Sequence, residues 1–261
     1  MCQLLGMNCA TPTDITFSFS GFAQRGGGTD HQGDGWGIGF FEDKACRLFI
    51  DHEPAVSSPL ARLVRELPIQ SRNVIAHIRK ATQGEIRLEN CHPFVRELGG
   101  RHWLFAHNGN LADYRPALDG VYLPVGDTDS ERAFCTLLQG LRDAFPGNGP
   151  ASLEAAFDTV ASLIPALRGH GEFDFLLSNG QGLLAHGTSS LWYVVREWPF
   201  REAHLADMDM SIDFSQETTR EDRVAVIATA PLTDNEEWTR FQPDELILFL
   251  DGRPVRKERT A

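Results

Sequence analysis

The sequence predicts an α+β domain built on mainly antiparallel strands, and three observations carry that prediction. Apolar runs of strand length stand both before and after a central pair of amphipathic helices. Strands and helices do not alternate along the chain, which disfavours a parallel, doubly wound sheet. The glycine-rich stretch at 26–39, GGGTDHQGDGWGIG, contains neither GxGxxG nor GxxxxGK[ST], so a phosphate-binding loop is a weak reading of it.

The elements follow in chain order. The opening MCQLLGMN predicts a first strand over 4–7, which sets Cys2 beside a chain end held in a sheet. WGIGFF at 36–41 and CRLFI at 46–50 read as partner strands after the glycine-rich loop. SSPLARLVREL predicts a short helix with Leu60, Leu63, Val64 and Leu67 on one face, ended by Pro68. NVIAHIRKA at 73–81 and HWLFAHNG at 102–109 are strands that finish in polar residues, where a rigid scaffold hands over to a loop.

Two longer helices come next. TDSERAFCTLLQGLRDAF carries a Phe134, Leu137, Leu138, Leu141 stripe, with Thr128 and Glu131 at capping-box spacing. The helix from 152 to about 167 carries Leu153, Phe157, Val160, Ile164 and Leu167, and PGNGP at 146–150 turns between the two. FDFLLSN, GLLAHG, LWYVVR, VAVIATA and ELILFLD supply the later strands. The expected organisation is one domain over 2–251 and a tail over 252–261.

Composition narrows the function classes. The chain has 261 residues, 42% hydrophobic and 23% charged, which suits a globular domain with a substantial core. A net charge of −12 argues against nucleic acid or an anionic membrane as the main partner, since both reward clustered Lys and Arg. No apolar stretch has the length of a membrane span, and no secretory signal pattern opens the chain. The five cysteines are widely spaced and odd in number, forming neither a disulfide framework nor a zinc spacing; a reducing cytoplasm fits them. The histidines, His31, His102, His107, His170, His186 and His204 among them, show no compact ligand pattern, so no metal or cofactor is expected.

Four polar constellations remain: Cys2, Arg79 in AHIRKATQG, Asn108-Gly109 in FAHNGNL, and Asp129 in TDSE. Each has an ordinary explanation when taken alone. Asn-Gly makes hairpin turns, an arginine makes surface ion pairs, and an aspartate suits the first turn of a helix. Arg79 is also shaped to clamp a carboxylate with two parallel hydrogen bonds, which lysine cannot do. Cys91-His92 is a second candidate pair, but neighbours on a strand point to opposite faces.

In order and spacing these motifs resemble the class II glutamine amidotransferases of the N-terminal-nucleophile hydrolase superfamily, particularly the stand-alone bacterial type. The resemblance runs at motif level from Cys2 to Glu131. It implies a four-layer αββα sandwich with two mainly antiparallel sheets. It also implies removal of Met1, which frees an α-amine on Cys2 whose ordinary pKa of about 7.7–8.0 suits a base near neutrality.

The resemblance extends to the roles. Cys2 becomes the nucleophile, and Asn108 with Gly109 the oxyanion hole. His77-Ile78-Arg79-Lys80-Ala81-Thr82 matches the substrate motif His-x-Arg-x-Ala-Thr, and Asp129 the aspartate that takes an α-ammonium group. Arg79, Asp129, Thr82 and His107 are thus expected to bind substrate, with Trp36, Gly37 and His92 supporting the pocket. The implied reaction cleaves the side-chain amide of glutamine through a γ-glutamyl thioester on Cys2. Another γ-glutamyl amide is the alternative substrate, and a non-catalytic interaction module the alternative class. The partners left open are a separate ammonia-accepting synthetase and a second copy of the chain.

Overall fold

A computed structural model describes residues 2–29, 33–216 and 218–260. Met1 and His31 lie outside the described residues. The chain begins with β1 (Gln3–Asp14), α1 (Thr16–Gln24), β2 (Trp36–Glu42), β3 (Ala45–Asp51) and α2 (Pro59–Glu66). It continues with β4 (Gln70–Ile78), β5 (Phe94–Leu98), β6 (Arg101–Leu111), α3 (Asp129–Ala144) and α4 (Leu153–Arg168). The remaining strands are β7 (Gly171–Ser178), β8 (Leu183–Gly187), β9 (Trp192–Glu197), β10 (Glu202–His204) and β11 (Ser211–Asp213). They end with β12 (Arg223–Ala228), β13 (Thr239–Arg240), β14 (Glu245–Leu250) and β15 (Arg253–Arg259).

Two large antiparallel sheets result, a seven-stranded one in the order β13-β9-β12-β1-β4-β2-β3 and a six-stranded one in the order β15-β14-β8-β7-β6-β5, while β10 and β11 pair as a small two-stranded sheet. The period of two along each strand sorts its side chains between two cores. On β1, Leu5, Met7 and Cys9 pack with Phe19 and Phe22 of α1 and Ala61 and Val64 of α2. Leu4 faces the other way and packs with Ile75, Leu104, Ala106, Leu176 and Leu183, between the sheets. On the six-stranded sheet, Phe105, Phe173 and Phe175 face Phe134, Leu137, Leu138, Phe157 and Ile164 of α3 and α4. The expected αββα sandwich is what forms. A Cβ at Gly6 would come within 2.9 Å of the Leu183 side chain, so glycine lets β1 sit close against the facing sheet.

Several elements differ from the sequence reading. Residues 253–259, expected in a tail, are β15, antiparallel to β14, so the sheet extends past 251. Arg253, Val255 and Lys257 are all exposed on one face, and only Pro254 and Arg256 are half-buried on the other, so this edge strand carries too few apolar residues to read as one. Helix α1 went unread because Ser18, Ser20 and Gly21 dilute its apolar face, although all three are buried. The α2 stripe is also displaced: Ala61 and Val64 are buried while Leu63 is 48% exposed. At roughly 100° per residue, Leu63 stands about 130° from the centre of the Ala61–Val64 face. Leu67 lies beyond the helix end.

The α3 cap forms by half. Thr128 Oγ1 accepts the Glu131 N–H at 3.2 Å. The Glu131 carboxylate does not return the bond; it takes the Val125 and Gly126 N–H groups and pairs with Arg96.

Candidate active site

The same alternation that builds the cores delivers the polar residues. Cys2 shares the inward parity of Leu4, Arg79 that of Ile75, and Asn108 that of Leu104 and Ala106. All three therefore project between the sheets at one end of the sandwich, just past the apolar filling. Gln3 stands opposite Ile78, which sets Cys2 beside Arg79 on the next strand.

The Cys2 thiol is held in a two-way clasp. Its S–H donates to Lys80 O at 3.3 Å, and the Lys80 N–H donates to Sγ at 3.2 Å. Burial pushes the thiol pKa up, opposed by the Lys80 N–H and the nearby Arg79 guanidinium. At neutral pH the group is a thiol and needs a base to become a nucleophile.

Arg79 is buried and pre-oriented. One guanidinium nitrogen donates to Gln83 O at 3.0 Å and Gly84 O at 3.2 Å. The glycine-rich segment is zipped onto this strand end: Arg79 N–H donates to Gly35 O at 2.7 Å, and Ala81 N–H to Asp34 Oδ2 at 2.8 Å. Gln83 then reaches Asn110 Oδ1 and Leu111 O, tying the Arg79 loop to the end of β6. The buried Asp129 closes the circuit by accepting the Leu111 N–H at 2.7 Å. Thr82 lies exposed on the same loop.

Asn108 is 2% exposed, and its Oδ1 has no hydrogen-bond partner among the described residues. Gly109 is required sterically, since a Cβ there would lie 2.0 Å from Glu172 O. His107 points the opposite way from Asn108, towards α3, with Nδ1 2.8 Å from Ser130 Oγ and Nε2 3.2 Å from Glu172 O. Burial lowers its pKa against the opposing pull of Asp129.

The three residues expected to support the pocket separate as well. Trp36 packs under α1 with its ring centroid 5.9 Å from that of Phe19, away from the space between the sheets. Gly37 lies against the His92 backbone, where a Cβ would come within 2.4 Å of His92 O. His92 is buried with its ring 4.2 Å from His77.

Cys91 and His92 do not form a reactive unit. Cys91 is 2% exposed, and among the described residues its sulfur hydrogen-bonds to the carbonyl oxygens of Asp51 and Arg87, each at 3.5 Å. Burial raises its pKa to about 11, and carbonyl neighbours offer a thiolate nothing.

A family model described as glutamine amidotransferases class-II matches residues 1–261. The chain belongs to the class II glutamine amidotransferases. It is 51% identical over 255 residues to the Escherichia coli K12 protein YafJ, covering 98% of this chain and 100% of that one. YafJ's name assigns it to the glutamine amidotransferases. A Pseudomonas aeruginosa crystal structure, solved as a predicted glutamine amidotransferase, superposes with a TM-score of 0.77 at 44% identity, covering 98% of this chain and 100% of that one. At 28% identity over 153 residues, the chain also resembles the γ-glutamyl-hercynylcysteine sulfoxide hydrolase of Mycobacterium tuberculosis, covering 58% of each. This class II amidotransferase is accordingly an amidohydrolase-type enzyme. No described helix is long and apolar enough to cross a membrane.

Several residues of the site were not singled out from the sequence. The Lys80 backbone, Asp34, Gln83 and Asp174 all shape it through bonds that depend on folding. Asp174, fully buried and opposite Asn108 on β7, had a signal: a lone carboxylate inside the apolar run FDFLLS.

Proposed function

We propose that this enzyme cleaves the side-chain amide of glutamine through a γ-glutamyl thioester on Cys2, once Met1 has been removed. The observation that carries the reading is the convergence of Cys2, Arg79 and Asn108 on one end of the inter-sheet space, with the Lys80 clasp on the thiol. Arg79 pairs with the substrate α-carboxylate and Asp129 with its α-ammonium group. His107 acts from below, through Ser130 and the Asp129 helix turn. Thr82 stands at the pocket mouth, and Gly37 and His92 back the wall.

The steps follow from a thiol that is protonated at rest. The freed α-amine takes the thiol proton as Sγ bonds to the carbonyl carbon of the side-chain amide. Asn108 Nδ2 and the Gly109 N–H stabilise the oxyanion, a contribution of about 3–4 kcal/mol per donor. The C–N bond breaks, and the amine returns the proton to the departing nitrogen, which leaves as ammonia. Water then attacks the thioester, gives its proton to the amine, and the C–S bond breaks to release glutamate and the thiol.

A second reading, hydrolysis of a larger γ-glutamyl amide, is favoured by a cavity at the same end. Gln3 Oε1 accepts from Thr229 Oγ1, and Ser190 Oγ donates to Thr229 O at 2.9 Å. That chain leads to a cavity of about 230 Å³ lined by Thr188, Ser189, Ser190, Arg240 and Gln242. It starts at β9, two strands and about 10 Å from β1, within reach of an amine larger than ammonia. Arg240 suits an amine that bears a carboxylate.

The test uses protein whose N-terminus is confirmed by intact mass. Diazo-oxonorleucine should label Cys2, glutamine should protect it, and Cys2→Ala should abolish labelling and turnover. Labelling at Cys91, or full activity with Met1 retained, overturns the mechanism. Faster release from γ-glutamyl amino acids than from glutamine, lost in Arg240→Met, selects the second reading.

A further inference from the structure

The nucleophile and the oxyanion donors of the proposed reaction stand on different sheets. Cys2 precedes β1 of the seven-stranded sheet, while Asn108 and Gly109 belong to β6 of the six-stranded one. Their separation is a distance between sheets, and strand pairing, which acts within a sheet, does not fix it. In the middle of the sandwich apolar packing sets that distance, where Leu4, Leu104, Leu176 and Leu183 meet. At the polar end this filling stops, and other contacts must hold the gap.

One side of this end is braced by the connection that follows β4, where Gln83 donates to Asn110 Oδ1 and Leu111 O on β6. The other side is braced by residues 188–191, which carry the chain from β8 in the six-stranded sheet to β9 in the seven-stranded one. The carboxylate of Asp174 on β7 anchors that crossing. Its Oδ1 accepts the Thr188 N–H and, at 3.1 Å, the Ser189 N–H; its Oδ2 accepts the Ser189 O–H at 3.2 Å. Ser190 Oγ then donates to Thr229 O at 2.9 Å, just past the end of β12. The Thr229 N–H donates to Leu4 O at 3.2 Å, and the Leu4 N–H to Thr229 Oγ1 at 3.3 Å.

These bonds, with the peptide link from Ser189 to Ser190, run from β7 to β1. At the β7 end, Asp174 stands opposite Asn108 in the β6–β7 register. At the β1 end, they reach Leu4, two residues from the thiol. The two reactive strands are flanked alike, β1 by β4 and β12, and β6 by β5 and β7. Gln83 bridges from the β4 side, and the Asp174 loop from the β12 side. Local structure does not ask for a carboxylate here: aspartate is a poor strand former, and Asp174 is fully buried between Phe173 and Phe175 in sequence. A buried carboxylate is costly unless its oxygens are met, and both are met by donors of this one crossing.

Resting on the reading of Cys2 as nucleophile and of Asn108 and Gly109 as oxyanion donors, we propose that Asp174 is a positioning residue. By holding residues 188–190 it sets the gap between the sheets at the site, and with it the placement of Cys2 against the oxyanion donors. Asp174 itself touches no substrate and carries no proton. Its part is a pattern of acceptors, which asparagine can largely reproduce: the amide oxygen accepts both N–H groups, and the amide N–H₂ donates to Ser189 Oγ. Alanine reproduces none of it.

The experiment compares Asp174→Ala with Asp174→Asn at a temperature where circular dichroism shows both folded. With glutamine as substrate, Asp174→Ala should lower kcat by roughly 10- to 100-fold, the scale of a misplacement of about 1 Å. KM should stay within about threefold, because Arg79 and Asp129 are held by bonds outside this crossing. Asp174→Asn should keep kcat within about threefold of the wild type, since its acceptor pattern survives. Alkylation of Cys2 by iodoacetamide, which uses no oxyanion donor, should stay within about twofold of the wild type in both variants. Ser190→Ala cuts the crossing from Thr229; it should lower kcat by about 3- to 10-fold alone and by almost nothing further in an Asp174→Ala background.

Unchanged kcat in Asp174→Ala, or additive losses in the double variant, overturns the inference. Asp174→Asn as slow as Asp174→Ala overturns it too, because the negative charge and not the positioning would then be what matters. If Asp174→Ala does not fold, Ser190→Ala carries the test: a loss in kcat with unchanged alkylation of Cys2 supports the inference, and unchanged kcat overturns it. Failure of diazo-oxonorleucine to label wild-type Cys2 removes the glutaminase reading and this inference with it. Labelling and turnover in the wild type with no effect at Asp174 or Ser190 removes this inference alone.

Discussion

The space between the two sheets has two regions that differ within a single pleat. Its middle is dry: Leu4, Ile75, Leu104, Leu176 and Leu183 fill it. Its end, continued by the same strands, holds Cys2, His77, Arg79, Asn108 and Asp174. The backbone geometry does not change between them; only side-chain chemistry does. The apolar region makes the strand ends rigid, and the polar end uses that rigidity to hold donors and a thiol in fixed relation. Unpartnered buried polar atoms are the mark of the boundary, with His77, His92 and Asn108 carrying five of them. A fold optimised only for stability would have paired or removed such groups.

Substitutions can break this comparison from either side. The largest effect is expected from Gly109→Ala at the polar end. Its Cβ would meet Glu172 O at 2.0 Å, so β6 must shift and carry Asn108 and the Gly109 N–H, the proposed oxyanion donors, with it. Steady-state assays should show kcat/KM down by about 10²–10³. Activity near wild type would mean that Gly109 is there for the strand alone.

In the dry middle the balance should reverse. Leu176→Ala is expected to cost about 2–5 kcal/mol in denaturant unfolding, because Leu176 is fully buried between the sheets. At a temperature where the variant is folded, labelling of Cys2 by diazo-oxonorleucine should proceed as in the wild type. A labelling defect in the folded variant would show that the two regions are not separable.

The smallest effect sharpens the contrast between two thiols. Both Cys2 and Cys91 are raised by burial, Cys91 to about 11. Below those values the thiolate fraction climbs about tenfold per pH unit, so alkylation by iodoacetamide should accelerate from pH 7 to 9. Peptide mapping should place the adduct on Cys2 first, since Cys91 is sealed among carbonyls. A pH-independent rate at Cys2 would indicate a thiolate already present at pH 7.

Much of this arrangement was legible in the sequence. Strands over WGIGFF, NVIAHI and HWLFAHNG are near-continuous apolar runs, buried on both faces, and read directly as strands; the α3 and α4 stripes are buried as patterned. Cys2 and Arg79 flank the ends of β1 and β4, where a change from apolar to polar residues is visible in the sequence, whereas Asn108 stands inside β6 and was legible only through its motif. Parity was the harder part. Which face of β6 meets the facing sheet depends on tertiary packing, so His107 and Asn108, adjacent in sequence, were assigned to one pocket although their side chains diverge. Trp36 was misplaced against Gly37 for the same reason. His77 attracted attention only as part of a motif, since an unpartnered ring has no sequence signature.

The position of β1 has a consequence for how the enzyme is made. Of the described strands it leaves the ribosome first, yet its partners are β4 and β12, with Leu5 opposite both Ala76 and Ala228. Contacts so distant along the chain form slowly, because the intervening loop must close before they reward it. The thiol at the head of β1 therefore waits until residues 223–228 have been made for the second neighbour of its strand. Chains that stop short of β12 are left without that neighbour and without an assembled strand end around Cys2.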